Sequence, residues 1–158
     1  EVLHEVAQDY PNVEVTHMLV DAAATEMCLA PNTFDVMVME NMFGDILSDQ
    51  AGGLLGSLGL MPSACIGDDK AYFEPSHGSA PDLSGQNVAN PYSMIGCVAL
   101  MLQVSMGRQD LADRVWSVIY RELEKGTVTQ DLALHNSSLE VVTSSEFGAL
   151  VLDEIAKR

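Results

Sequence analysis

The sequence predicts an α/β fold, because segments of strand character alternate with segments that carry helix start and stop signals. Three stretches lead to that reading. Phe34 to Met39, "FDVMVM", is a continuous apolar run of strand length, the pattern of a strand buried on both faces. Leu111 to Lys125 is amphipathic and is followed by Gly126, a helix with its terminating glycine. Thr143-Ser-Ser-Glu146 is a capping box ahead of a final helix.

The remaining elements follow in chain order. Val2 to Tyr10 reads as a helix broken by Pro11-Asn12, and Val13 to Thr16 as a short strand ending near His17. Asp21 opens an alanine-rich helix, "DAAATEMCLA", which Pro31-Asn32 stops. After the Phe34 to Met39 strand comes a segment holding Asp45 and Asp49. Glycines 52, 53, 56 and 59 then interleave with leucines, which suits close backbone packing around a bend. "AYFEP", from Ala71, is another short strand, and "HGSAPDLSGQNVANP", from His77, is a loop. Asn90-Pro91 pairs an N-cap with a proline at the first helical position and opens an apolar helix to about Gln103.

The 158 residues, 47% of them apolar, are enough for one ordinary domain with a core. No apolar run is long and clean enough to span a bilayer, and no basic-then-apolar targeting pattern opens the chain. A start at "EVLHEVAQDY" reads as entry in mid-helix and leads us to expect a piece of a longer polypeptide. The net charge of −16 argues against nucleic acid or an anionic membrane as partner, since both would be repelled. Every lysine and arginine lies at or after Lys70, so the first 69 residues carry acids and neither of these cations. Solvated acidic faces account for that asymmetry, and so does a cation nearby, whether a metal or a basic segment. Cys28, Cys65 and Cys97, odd in number and set among apolar residues, read as reduced core cysteines of a cytoplasmic protein.

Two stretches carry candidate chemistry. In "NMFGDILSDQ", Asp45 and Asp49 stand at i and i+4, which puts their Cβ atoms about 6 Å apart on one helix face. Like charges there repel, and a Mg²⁺ or Mn²⁺ ion would reverse the sign, because hard cations favour carboxylate oxygens. The same spacing also suits Asp45 as a helix cap and Asp49 as a solvated residue. In "HGSAPD", Gly78 permits close backbone approach and Ser79 offers a hydroxyl and an amide to a ligand. Asp82 lies beyond a rigid proline, where a carboxylate can bind a ribose diol and repel a 2′-phosphate. Ordinary turns are built from the same residues. No G-x-G-x-x-G precedes a helix, so a standard Rossmann site is not indicated. His77 alone suits a hydrogen-bonded loop position, and His4, His17 and His135 show no ligand spacing. The serines lack a nucleophile-elbow pattern, and Met37, Met39, Met42 and Met61 read as core fillers.

Taken together, "HMLVDAAA", "NMFGDILSD", "GSLGLMPSA", "FEPSHGSAPD", "NVANP" and "SSEFGALVLDEI" resemble the isocitrate and isopropylmalate dehydrogenases, the metal-dependent β-decarboxylating dehydrogenases. The resemblance runs through the whole chain and corresponds to the C-terminal half, or slightly less, of such an enzyme. It implies that fold, with a nucleotide site that is not of the Rossmann type. Residues 1–59 would join a central metal and dimer domain and 60–158 a nucleotide-binding domain, each completed by N-terminal strands.

The resemblance also implies roles. Asp45 would bind the metal and Asp49 complete the cluster, while Asp21 would ligate the ion held mainly by the other subunit of a homodimer. Asp21 and Asp45 would thereby be catalytic. His77, Gly78, Ser79 and Ala80 would line the adenosine end of the cofactor, Asp82 would take the ribose hydroxyls beside Leu83, and Asn90 would meet the adenine. Relatives that use NADP place a Lys-Tyr pair where Asp82-Leu83 stand, so NAD is the expected cofactor. Ser76, where isopropylmalate enzymes usually have valine, and "NPYSMI" depart from the pattern and bear on subfamily. The implied reaction is NAD-dependent oxidative decarboxylation of a 2-hydroxy acid with a β-carboxylate, foremost 3-isopropylmalate in leucine synthesis. Isocitrate, homoisocitrate and tartrate are the alternatives, "GDD" at Gly67 having an isocitrate-like look. The family's substrate-binding arginines, tyrosine and proton-relaying lysine precede the segment. A catalytically incomplete fragment or non-catalytic subunit is therefore a further alternative.

Overall fold

A computed structural model describes residues 2–134 and 136–157 of the chain, so His135 lies outside the described residues. The fold is mixed helix and sheet. It divides into two compact units, Glu1–Leu47 and Ser48–Arg158, with the division falling inside one helix.

The first unit holds α1 (Val2–Ala7), α2 (Val20–Leu29) and the start of α3 (Asn41–Leu55). Helix α2 buries Ala23 and Met27, one turn apart. It ends where Ala30 leaves helical geometry ahead of Pro31, whose ring disfavours α conformation in the preceding residue. Neither expected strand forms here. Residues 13–16 and 34–39 are irregular, and Val36 and Val38 are 81% and 66% exposed. The apolar pattern of a buried strand states a preference, whereas a strand exists only through a ladder with a neighbour. No strand occurs among the described residues of this unit to supply one. Nor do the methionines expected as core fillers become buried: Met37, Met39 and Met61 are half-buried and Met42 is exposed, whereas Met27 is the buried one.

The second unit contains most of the buried apolar side chains. Strand β1 (Pro62–Ile66) pairs antiparallel with β2 (Ala71–Pro75), from Pro62 opposite Pro75 to Ile66 opposite Ala71. The Gly67 amide donates to the Lys70 carbonyl across the turn at 2.9 Å. Helix α4 (Tyr92–Val104) packs on both strands and on α5 (Gln109–Lys125), which in turn packs on α7 (Ser144–Ala156). Tyr92, Ala99, Ala112, Val115 and Ile119 form the main core cluster, and Val118, Phe147 and Val151 a second. Gly96 is what lets these layers meet. A Cβ there would lie 2.9 Å from Pro62 Cγ and from Trp116 Cη2, closer than packed carbons tolerate. Cys97 is buried, but Cys28 and Cys65 are exposed, contrary to a core reading of all three.

The local stop and start signals act as their chemistry dictates. Gly126 ends α5 at φ 84°, a left-handed conformation that glycine adopts without steric cost. In the capping box of α7, the Glu146 amide donates to Thr143 Oγ1 while the Thr143 amide donates to the Glu146 carboxylate at 2.8 Å. A short parallel ladder joins β3 (Thr127–Val128) to β4 (Glu140–Val141), with the brief helix α6 (Gln130–Ala133) between them in sequence.

Candidate functional site

The second unit contains a cavity of about 670 Å³, a size that suits an organic cofactor fragment. Four segments build its wall: the turn around Ser57 to Gly59, the loop from His77 to Asn90, Asp131 at the start of α6, and Ser144 at the start of α7. The lining is largely apolar with a few small polar side chains, and Asp131 is its one acid, with no lysine or arginine present.

His77 is held at both ring nitrogens. Nδ1 lies 2.9 Å from the Gly78 carbonyl, which can only accept, so that nitrogen carries the hydrogen. Nε2 lies 2.9 Å from Oγ of the fully buried Ser93, whose hydroxyl donates to it in the neutral ring. Ala80 and Asn87 have positive φ (40° and 58°), a conformation that costs about 1–3 kcal/mol per non-glycine residue and recurs at ligand clamps. Asn87 is fixed from α7: its side chain donates to Ser145 Oγ at 2.8 Å and accepts from the Ser145 amide at 3.1 Å.

Asn90 is fixed from two sides. Its Oδ1 accepts from the Tyr92 amide at 3.0 Å, and Nδ2 donates to Asp131 Oδ2 at 3.0 Å. The Asp131 carboxylate also accepts from Thr129 Oγ1 at 2.5 Å and from Ser57 Oγ. Gly59 passes close behind Asn90. A Cβ on it would come within 2.7 Å of Asn90 Cβ, so no larger residue fits without displacement.

The cavity thus gathers His77, Gly78, Ser79, Ala80, Leu83 and Asn90, all expected from sequence at a nucleotide. Asp82 stands apart from that wall. It is exposed in a 3₁₀ turn, Pro81–Leu83, and its backbone carbonyl accepts from Gln86 Nε2 at 2.5 Å. Sequence reasoning missed Ser57, Gly59, Asn87, Asp131 and Ser144. Only Thr129-Gln130-Asp131, a capping-type triple, gave any local sign of Asp131, and that sign concerns a helix start. The pocket's chemistry fits a nucleoside: concave, largely apolar, with few fixed polar groups and no cation to hold a phosphate.

The candidate metal ligands lie on helices. Asp45 and Asp49 are exposed in α3, and their spacing follows from the helix they share. Asn41 Nδ2 donates to Asp45 Oδ2 at 2.8 Å, so Asp45 takes part in the first turn's hydrogen bonding. Asp21 is exposed in the first turn of α2, where its Oδ1 accepts from the Ala22 amide at 2.9 Å. Among the described residues no three histidine, cysteine or acidic side chains gather as a metal cluster. A pair of carboxylates nevertheless fits Mg²⁺, which typically takes one or two from a protein and completes its shell with water and substrate oxygens.

The isocitrate/isopropylmalate dehydrogenase family profile matches residues 1–151. The 3-isopropylmalate dehydrogenase of Sulfurimonas denitrificans is 46% identical over 99% of the chain and 44% of its own length. That of Bacillus subtilis is also 46% identical, over 98% of the chain and 43% of its own length. A crystal structure of isocitrate dehydrogenase from Methylococcus capsulatus superposes with a TM-score of 0.89 at 40% identity, over 96% of the chain and 44% of that protein. The chain therefore spans a little under half the length of these relatives. It belongs to the isocitrate/isopropylmalate dehydrogenase family.

Proposed function

We propose that the chain forms the nucleotide- and metal-binding part of an NAD-dependent β-decarboxylating dehydrogenase acting on 3-isopropylmalate. The observation that carries this reading is the single cavity wall formed by His77 to Ala80, Leu83 and Asn90, in a chain of this family. Relatives of 42–48% identity are named 3-isopropylmalate dehydrogenases, which favours that substrate over isocitrate, homoisocitrate or tartrate. Residues 1–59 belong to the metal and dimer domain in this reading, and 60–158 to the nucleotide domain. The protein acts as a cytoplasmic homodimer, with Asp21 serving the partner's ion.

When bound, the cation supplies charge stabilisation at the substrate's hydroxyl oxygen and NAD supplies the hydride acceptor. The chain's own residues bind and orient. Asp45 and Asp49 hold the cation through carboxylate oxygens. Asn90, fixed by two hydrogen bonds, keeps its second Nδ2 hydrogen as a donor to the adenosine end, and His77, with both ring nitrogens bonded within the protein, contributes its ring to the wall. Asp82 lies on an exposed turn between Ala80 and Leu83, both of which line the cavity, and its charge would disfavour a 2′-phosphate.

Residues 1–69 contain no lysine or arginine, so the cations that hold a dianionic substrate must come from another segment. NADH formation at 340 nm tests both parts of the proposal. With NAD and Mg²⁺, the chain alone should be silent on all four substrates. Turnover of 3-isopropylmalate should follow once a polypeptide covering the rest of such an enzyme is added. Turnover by the chain alone would refute the incompleteness, and silence of the complemented protein on every substrate would favour a non-catalytic subunit.

A further inference from the structure

Asp131 lies far in sequence from the cavity's main loop, yet its carboxylate joins three separate segments. It accepts from Asn90 Nδ2 at 3.0 Å, from Thr129 Oγ1 at 2.5 Å and from Ser57 Oγ. Ser57 Oγ in turn accepts from the Gly59 amide at 3.0 Å, directly behind Asn90. A carboxylate acceptor strengthens the bonds from Asn90, Thr129 and Ser57 relative to a neutral one.

The consequence falls on Asn90. Its Oδ1 is committed to the Tyr92 amide and one Nδ2 hydrogen to Asp131. Rotating the amide by half a turn would set its oxygen against the carboxylate, two acceptors face to face, and its NH₂ against the Tyr92 N–H. Only one orientation is therefore satisfied, and it leaves the second Nδ2 hydrogen as a donor. That hydrogen complements a ring nitrogen of a purine, an acceptor without charge.

We propose that Asp131 is a positioning residue for nucleotide recognition: it fixes the Asn90 amide as a donor to the base and ties the Ser57 turn to the cavity wall. This rests on the nucleotide reading above and adds to it a residue that does not itself need to touch the base.

Calorimetric titration of NAD into the chain tests it, using Asp131→Ala, Asp131→Asn, Asn90→Ala and the Asp131→Ala/Asn90→Ala pair. Melting followed by Trp116 fluorescence checks that each variant is folded. Loss of a charge-assisted bond predicts NAD binding about tenfold weaker in Asp131→Ala. Asp131→Asn keeps an acceptor oxygen for Asn90 and should lose less, and it carries the test if the alanine variant fails to fold. In the Asn90→Ala background, Asp131→Ala should add less than about twofold, because residues acting as one unit are not additive. A purely structural role would give the same loss in both backgrounds, and that result, or undiminished binding in either folded Asp131 variant, would overturn the inference alone. Failure of the unaltered chain to bind NAD would overturn the nucleotide reading together with it.

Discussion

Substituting Gly59 by alanine perturbs the cavity wall through one added methyl group. The new Cβ would lie 2.7 Å from Asn90 Cβ and 3.2 Å from Asn90 Cγ and Ser57 Oγ. Asn90 Cβ is bonded to backbone, so relief requires either the loop at Asn90 or the turn at Leu58–Leu60 to move. Overpacking of this kind costs about 1–3 kcal/mol. Movement of Asn90 also weakens its bonds to the Tyr92 amide and to Asp131, which places the expected loss at about 2–3 kcal/mol. Urea unfolding followed by Trp116, the chain's single tryptophan, reports on the unit that contains Gly59. At a urea dependence of about 2 kcal/mol per M, the midpoint should fall by about 1–1.5 M. Gly53→Ala is the control. Its Cβ would meet nothing within 4 Å on α3, so helix propensity should stabilise by up to about 1 kcal/mol. A Gly59→Ala midpoint equal to that of the unaltered chain would refute the close-approach argument.

Other substitutions probe the remaining parts. Phe147→Ala removes one of the largest fully buried side chains and should cost about 3–5 kcal/mol in the same assay. The Glu146 carboxyl is held below the usual carboxylate range by hydrogen bonds from the Thr143 hydroxyl and then the Thr143 amide. Its folded value lies below its unfolded one, so its contribution is complete above the ordinary glutamate range and lost as pH falls through the depressed value. Thr143→Ala should move the Glu146 titration, followed by carboxyl-carbon NMR, back toward the ordinary value. Asp45→Asn should abolish Mn²⁺ binding measured by electron paramagnetic resonance; unchanged binding would remove Asp45 from the metal site. Asp82→Lys should weaken NAD binding, and equal affinity would remove Asp82 from the nucleotide site.

What could be read in the sequence was whatever is decided by neighbours in the chain. The Thr143 capping box and the Gly126 terminus depend on a few adjacent residues and form where the pattern places them, while the Asn90-Pro91 start is displaced by one residue, Pro91 taking the N-cap of α4 and Asn90 Oδ1 accepting from the Tyr92 amide. The strands expected at 13–16 and 34–39 depend on partners elsewhere and do not form. β1 escaped notice for the converse reason. Pro62 and the glycine-rich stretch before it suggest a bend, while its ladder with β2 is what makes it a strand. The cavity divides in the same way. The loop from His77 to Asn90 carries its own signature, whereas Ser57, Asp131 and Ser144 reach the wall only through tertiary packing.

Titrating NAD into ¹⁵N-labelled chain and following the amide resonances decides whether this cavity holds the nucleotide. If it does, saturable shifts should appear at Gly78, Ser79, Ala80 and Asn90 and at residues flanking Asp131, with the amides of α1 unmoved. Saturable shifts confined to residues outside the cavity wall, or none at millimolar NAD, would contradict the nucleotide reading.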